Sequence, residues 1–476
     1  MTTHETRVQI GLDSAEERQP VEIEDESFRI LIVGDFGGGA RSAVVPLADR
    51  AIRIDRDGVD AAMAIVAPEL RLPLDPAAGA EVIAFQCLDD LHPDRLLETV
   101  PLLARLRSLR AELMRPGAPS PTTQPDARRA EPVAGRSLLD QILDTQPNEA
   151  AIASGGGDLS DFIRRAVRPH LAPEVTEAQA GAVKQVDDAL VAALRVLLHE
   201  PRFQALEAAW RGADFIVRRA DGGSGGQIAI ADLSESGLRG ALAADATNTL
   251  SDLLLSPAGA PRWSLVLCTH AFGPDDVGLL SRLAATAAHS HTPWIVGALP
   301  ALAGAATFAD GADADEWDTS PPQGWDALRE SPQARYLGAA LPRFLLRAPY
   351  GARTDTIETM PFEEFAGGPA PHENYLWGSG ALLCGLIAAE EVEHGAPRSS
   401  QGTIGGLPLH VARVDGLAVA KPCAEAYMSQ RTVMHLLDRG LTPLVSLKDG
   451  DAVRIPRLQS LAAPPSALAF GAAGGR

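Results

Sequence analysis

A proline-rich stretch divides this chain and limits what it can become. Between Arg115 and Arg136 stand Pro116, Pro119, Pro121, Pro125 and Pro132, set among Ser, Thr and Gly with almost no apolar side chains. Such a segment cannot bury enough surface to offset the entropy of ordering it, and proline keeps it extended. It reads as a linker over 116–136, with one folded unit at 1–115 and the rest of the chain beyond it. The 476 residues suffice for about two to three domains at roughly 150 residues each.

Ahead of the linker, residues 1–26 are polar and read as an extended arm. Phe28 to Val33 is a compact β-rich apolar run ending at Gly34, a buried strand stopped by a glycine loop. Glu81 to Gln86 is a second strand candidate. Pro93 and Asp94 suit the first turn of a helix. The spacing of Leu96, Leu97, Val100, Leu103, Leu106, Leu109 and Leu113 predicts one helix from there onward.

Beyond the linker, residues 137–200 read as a helical segment. Ser137 to Thr145 is short and amphipathic, with Leu138, Leu139, Ile142 and Leu143 on one side. A helix opens at Asp158, and a longer one carries Val183, Val186, Leu190, Leu194, Leu197 and Leu198. A larger unit over 201–476 follows. It starts with a helix from Arg202 to Gly212, then strand candidates at Phe215–Val217 and Gln227–Ala231. Trp263 to Cys268 and Trp294 to Ala298 are buried strands around a helix near Asp275 to Ala288. Strands alternating with helices predict an α/β (mixed α+β) architecture, a mixed sheet flanked by helices with some parallel pairing.

Charge narrows the function. The chain has 42 Lys and Arg against 62 Asp and Glu, a net charge of −20, which argues against coating nucleic acid or an anionic membrane. Only Lys184, Lys421 and Lys448 are lysines, so a lysine-based phosphate site has few candidates. No stretch reaches the ~18–20 apolar residues of a membrane helix. Met1 to Arg18 lacks the apolar core of a secretory signal. The four cysteines are scattered, without CxxC spacing or a disulfide framework. The expectation is a cytoplasmic protein with no cofactor, no metal, no nucleic-acid partner and no membrane insertion.

Three patterns imitate chemistry. The loop from Gly34 to Ser42 follows a strand as a phosphate loop does, but Ala40 and Arg41 stand where Lys and Ser/Thr are needed, and Asp35 would repel phosphate. It reads as a tight turn. His289 and His291, near His270, could point the same way on a strand and bind zinc. Thr292 and Pro293 follow at once and nothing completes the set, so a polar strand entrance fits better. The carboxylates Asp275, Asp276, Glu363, Glu364, Glu390, Glu391 and Glu393 could do acid–base work, but adjacent ones on a helix more often form a solvated face. No catalytic motif set is present, so no enzyme is expected. The aromatics Trp210, Trp325, Tyr336, Phe344, Tyr350, Phe362, Tyr375 and Trp377, many beside Gly, Pro or Arg, read as loop anchors against a core. Some are candidates for subunit contacts.

Several of these segments resemble one family. Phe203-Gln-Ala-Leu-Glu-Ala-Ala-Trp210-Arg211-Gly212, after His199-Glu200-Pro201, is similar to the large contractile-sheath subunit of type VI secretion systems (TssC). So are Ser331 to Gly338 with Arg335 and Tyr336, and Leu341 to Gly351 with Pro342, Arg343, Tyr350 and Gly351. Phe362 to Glu364, Tyr375-Leu376-Trp377-Gly378, Gly406 to His410 and Asp438 to Leu444 continue the likeness in order, across about Ser137 to Asp451. Phe28 to Gly37 and Leu88 to Asp94 resemble the small sheath subunit (TssB). The resemblance implies a fused small- and large-subunit protomer of a sheath that polymerises around an inner tube and contracts, with no catalysis. It implies as partners other sheath subunits or copies of itself, inner-tube and baseplate proteins, and an AAA+ disassembly ATPase. That ATPase would recognise the Ser137–Thr145 helix, which reads equally as an ordinary docking helix. The likeness fades after about Asp451, so the large-subunit module is expected to be C-terminally shortened. That leaves a second expectation, a sheath-related accessory or cap that binds sheath or baseplate subunits and regulates assembly.

Overall fold

The computed structural model describes residues 28–39, 51–75, 79–115, 177–220, 227–243, 250, 262–309, 311–318, 320–365, 370–393, 401–414, 417–448 and 450–470. In chain order the first elements are β1 (Arg29–Gly34), β2 (Ala51–Ile54), α1 (Val59–Val66), β3 (Glu69–Asp75), β4 (Gly79–Ala84), α2 (Pro93–Thr99) and α3 (Pro101–Leu113). Then come α4 (Glu177–Leu198), α5 (Pro201–Ala220), β5 (Gln227–Asp232), α6 (Glu235–Ala243), β6 (Leu265–Phe272), α7 (Val277–Ser290), β7 (Trp294–Ala298), α8 (Trp325–Glu330) and β8 (Leu337–Leu341). The remaining elements are β9 (Phe344–Leu345), β10 (Trp377–Gly378), α9 (Gly380–Glu393), β11 (Gly402–Ile404), β12 (His410–Val414), β13 (Leu417–Lys421), α10 (Gln430–Asp438), β14 (Thr442–Pro443), β15 (Val445–Ser446) and β16 (Val453–Ile455).

Seven strands form the central sheet, in the order β14-β8-β7-β6-β1-β5-β2. Neighbours run parallel except β2, which is antiparallel to β5. β1 lies inside this sheet. Its Ile30 pairs with Ile228 of β5 on one side and Leu265 of β6 on the other. A parallel strand covered on both faces needs an unbroken apolar run, and Ile30 to Val33 is one. Ile30 and Ile32 enter a core shared with α5 and α9, while Leu31 and Val33 enter a second core shared with α7. The result is helices on both faces of a mixed sheet, the α/β class that the alternation of elements predicts. Smaller ribbons pair β3 with β4, β9 with β10 and β12 with β13, and β11-β16-β15 form a three-stranded sheet. α3 packs along α4, and Arg110 is ion-paired with Asp187.

Two local expectations need correction. The helix read as continuous from Asp94 to Leu113 breaks at Val100, which is extended between α2 and α3. Pro101 is the cause, because the residue before proline is pushed out of the helical region. Phe215 to Val217 are not a strand but the last turns of α5. The buried positions Phe203, Leu206, Trp210, Ala213, Ile216 and Val217 keep helical spacing straight through Gly212. Gly212 does not stop the helix; a Cβ there would lie 2.7 Å from Leu382 Cδ1 of α9, so glycine lets the two helices approach. The N-terminal arm, the 116–136 linker, the Ser137–Thr145 helix with Leu138, Leu139, Ile142 and Leu143, and the helix after Asp158 lie outside the described residues.

Candidate functional site

The motif residues converge where α5 crosses under the chain from β8 to α9. α5 turns Trp210 inward, and its indole N–H donates to the Phe36 carbonyl at 2.9 Å. The two rings meet edge to face at 5.1 Å between centroids. Phe36 belongs to the glycine loop after β1, so this contact joins the segments on either side of the linker. The loop is a clamped turn: the Gly37 amide donates to Asp232 Oδ1 and the Gly39 amide to Asp35 Oδ1, each at 2.8 Å. A phosphate would need those amides. Leu88 to Asp94 meets the same region. His92 stands edge-on to Tyr350 at 5.2 Å, and Asp94 accepts from the Glu358 and Thr359 amides.

One turn from Trp210, α5 carries Glu207 and Arg211 four residues apart, with Arg211 Nε donating to Glu207 Oε1 at 2.7 Å. Arg347 closes a knot over them. Its Nε donates to Glu207 Oε1 at 2.8 Å and its Nη1 to Glu364 Oε2 at 2.7 Å. The guanidinium also stacks 4.2 Å above the Tyr350 ring. Glu364 takes the Tyr350 amide at 2.8 Å, and Arg211 donates to the Tyr350 hydroxyl at 2.9 Å. Arg347, Glu207 and Glu364 are all buried. Burial would push the Glu364 carboxyl up, but Arg347, His199 and the Tyr350 amide together hold it at about 2. Burial raises the Tyr350 phenol to about 12 despite both guanidinium groups. The same burial opposes the charge on Arg347, yet Glu207 and Glu364 outweigh it and leave the group firmly cationic. Every charge here is compensated at short range, as a buried ion network requires.

A second knot sits on Arg343. It forks between Glu425 and Glu373, with contacts of 2.6 Å and 3.1 Å from Nη2. His372 Nε2 lies 2.9 Å from Glu425 Oε1, and Lys421 Nζ lies 3.1 Å from His372 Nδ1. Tyr375 and Trp377 form the floor, and the Trp377 indole donates to the His372 carbonyl at 2.8 Å. Asn374 links the knots: its side-chain amide lies 3.2 Å from His199 Nδ1, and Gln204 donates to its carbonyl.

Of the motif positions, Phe203, Trp210, Arg211, Gly212, Tyr350 and Gly351 gather at the first knot or on its helix. Arg343, Tyr375, Trp377 and Gly378 gather at the second. Pro342 joins β8 to Arg343. Arg335 and Tyr336 are not brought in; Tyr336 lies in the core on the other face of the sheet, and the exposed Arg335 stacks on it at 5.1 Å. The histidine pair does not sit on a strand. His289 is in the last turn of α7, and His291 caps it with φ of 53°, its Nδ1 near Tyr336 Oη. His270 on β6 bonds the Leu233 carbonyl. Among the described residues no group of three His, Cys, Asp or Glu is placed to hold a metal, and no helix is long and apolar enough to cross a membrane. Within the acidic set, Glu364 is in the first knot and Asp276 is paired with Arg239.

Glu207, Arg347, His372 and Glu425 carry no site expectation in the sequence, while His199 stands there only as part of a motif and Lys421 only as one of three lysines. For Glu207 a signal existed: it stands four residues before Arg211, the helical ion-pair spacing. Arg347 lay in the Leu341–Gly351 stretch, but nothing local marked it as buried. The arrangement is a clamp: fixed cations hold the Glu364 and Glu425 carboxyls below their ordinary values, and the ion pairs tie α5 to the loops before α9.

A family model described as "EvpB/VC_A0108, tail sheath N-terminal domain" (VipB) matches residues 180–462. Another, described as "Type VI secretion system, VipA, VC_A0107 or Hcp2", matches residues 2–118. The chain is similar to the type VI secretion system sheath protein TssC1 of Pseudomonas aeruginosa, 29% identical over 312 residues covering 59% of this chain and 61% of that protein. The chain thus spans about three fifths of the length of that curated relative. A chain in the cryo-EM structure of the anti-feeding prophage baseplate aligns over 52% of this chain and 50% of its own, at 10% identity and a TM-score of 0.27, too slight a likeness to argue from.

Proposed function

The chain belongs to the VipB tail-sheath N-terminal-domain family, with a VipA match ahead of that span, and we propose that it is a structural component of a type VI secretion-like contractile sheath, small- and large-subunit modules in one chain. The observation that carries this reading is β1. It comes from the span that matches VipA, and it lies between β5 and β6 from the span that matches VipB. Trp210 on Phe36 and Asp94 on residues 358–359 add side-chain contacts across the same junction. A tether over 116–136 turns the meeting of the modules into an intramolecular step at high effective concentration. The modules are 1–115 and 201–476, with 137–200 between them.

In this role the chain performs no catalysis and works in the cytoplasm. Its partners are other sheath subunits or copies of itself, with inner-tube and baseplate proteins at the polymer's surfaces. The AAA+ ATPase would act on the Ser137–Thr145 segment. Contacts that repeat head to tail without closing produce a filament. Electron microscopy of the purified protein, alone and with the inner-tube protein, tests this. Helical sheaths are expected. A particle that stays monomeric under both conditions overturns the protomer reading, and recovery only at filament ends points to a cap instead.

A further inference from the structure

Among the three lysines, Lys421 occupies a setting unlike the other two. Lys184 and Lys448 are exposed, whereas Lys421 is half-buried at the base of the β12–β13 hairpin, opposite His410. Its amine lies 3.1 Å from His372 Nδ1, and His372 Nε2 lies 2.9 Å from Glu425 Oε1. A carboxylate can only accept, so the Nε2 proton points at Glu425 and Nδ1 presents its lone pair to the amine. The His372 and Glu425 side chains are 7% and 2% exposed, so neither can turn away. The Trp377 indole holds the backbone of His372 in place. Nucleophile, base and base-orienting carboxylate thus stand in hydrogen-bonded sequence, the layout of an activated nucleophile.

We propose that Lys421 is the reactive amine of this chain and a site of acylation by activated acyl groups, with His372 as the proton acceptor. The amine lone pair attacks the carbonyl carbon of an acyl phosphate or thioester. A C–N bond forms, the bond to phosphate or sulfur breaks, and the leaving group departs with its electron pair. His372 Nδ1 takes the amine proton, and no oxidant or reductant is involved. Burial draws the Lys421 ammonium below the ordinary lysine value, against the pull of Glu425 and Glu373. Glu373, Glu425, Arg343, His372, His410 and Tyr375 are the titratable groups around it. Acylation removes a positive charge that faces Tyr375 at 5.5 Å and Trp377 at 5.8 Å, so it loosens the hairpin from that floor.

The small lysine count makes the test direct. The full chain is incubated in parallel with acetyl phosphate and with acetyl-coenzyme A, and acetylation at Lys184, Lys421 and Lys448 is followed by mass spectrometry. Lys421 is expected to react at least about tenfold faster than either exposed lysine, a modest share of what a positioned general base contributes. The arm in which it leads identifies the donor. His372→Gln should erase the lead while Lys184 and Lys448 keep their rates. Should that variant not fold, the pH profile of the unaltered protein decides: the Lys421 rate must begin its fall at a lower pH than the Lys184 rate. Equal or slower reaction of Lys421 in both arms, an undiminished lead in His372→Gln, or coincident pH profiles overturns the proposal.

Discussion

Replacing Arg347 with methionine should expose how strongly the first knot holds the fold. Methionine fills much of the space of the arginine stem but supplies no charge. It leaves Glu207 and Glu364, side chains 0% and 1% exposed, without the cation between them. Glu207 keeps Arg211, and Glu364 keeps His199 and the Tyr350 amide. Removing one partner of a buried pair costs about 3–5 kcal/mol. The Glu364 carboxyl gives a second route to that figure. It sits at about 2 in the folded chain, against roughly 4.3 when unfolded, a difference of about 3 kcal/mol. A depressed carboxyl contributes stability above its unfolded value and loses it as pH falls toward about 2. Without Arg347, burial pushes that carboxyl up, and the variant gains relative stability as Glu364 takes a proton. Urea unfolding followed by tryptophan fluorescence should therefore show a loss of about 3–5 kcal/mol at pH 7.5 that shrinks at pH 4.5. Glu364→Gln in the same background should restore part of it. A loss below about 1 kcal/mol, the size of a surface ion pair, or one that does not change with pH, would refute the reasoning.

Other outcomes follow from single contacts. Trp210→Phe strands the Phe36 carbonyl and should lower stability by about 1–3 kcal/mol; an unshifted urea midpoint would show that this bond adds nothing across the junction. A protease site inserted between Pro121 and Pro125 should, once cut, leave both fragments in one size-exclusion peak, because β1 is held between β5 and β6; separate peaks would mean the shared sheet does not hold them. Gly304 has φ of +92°, and a Cβ there would lie 2.0 Å from the Asp318 carbonyl oxygen. Gly304→Ala should therefore cost at least ~2 kcal/mol. Gly278→Ala, in open space near the start of α7, should leave the melting temperature unchanged or raise it.

Much of the local structure is readable from residue pattern. Ile30 to Val33 announces a buried strand, and Trp294 to Ala298 another, because a strand covered on both faces must be apolar at every position. Location is not readable in the same way. Nothing in the first 115 residues says that β1 completes a sheet whose other parallel strands all lie beyond residue 226, since pairing partners are set by tertiary packing. Helix limits failed where one residue carried two meanings: Gly212 looked like a stop and is a packing contact, and Pro101 looked like part of a helix and divides it. The site was half visible. Trp210, Tyr350 and Trp377 stood out through an aromatic content of only 5%, but Arg347 and Glu425 look like any other charged residues until their burial is known.

The position of β1 also sets a clock on synthesis. A growing chain extends at roughly 5–20 residues per second, so the roughly 240 residues from Gly34 to Phe272 take ~10–50 s. Until Asp232 is made neither flanking strand of Ile30 to Val33 is complete, and the edge that takes β6 stays open until Phe272. An apolar strand with an open edge invites association with other nascent chains. Slow elongation or crowded polysomes should therefore cost this protein yield, and a holding chaperone should recover it. The same linkage brings a benefit in dosage: each β1 is made together with its own β5 and β6, so no cell can accumulate one without the other.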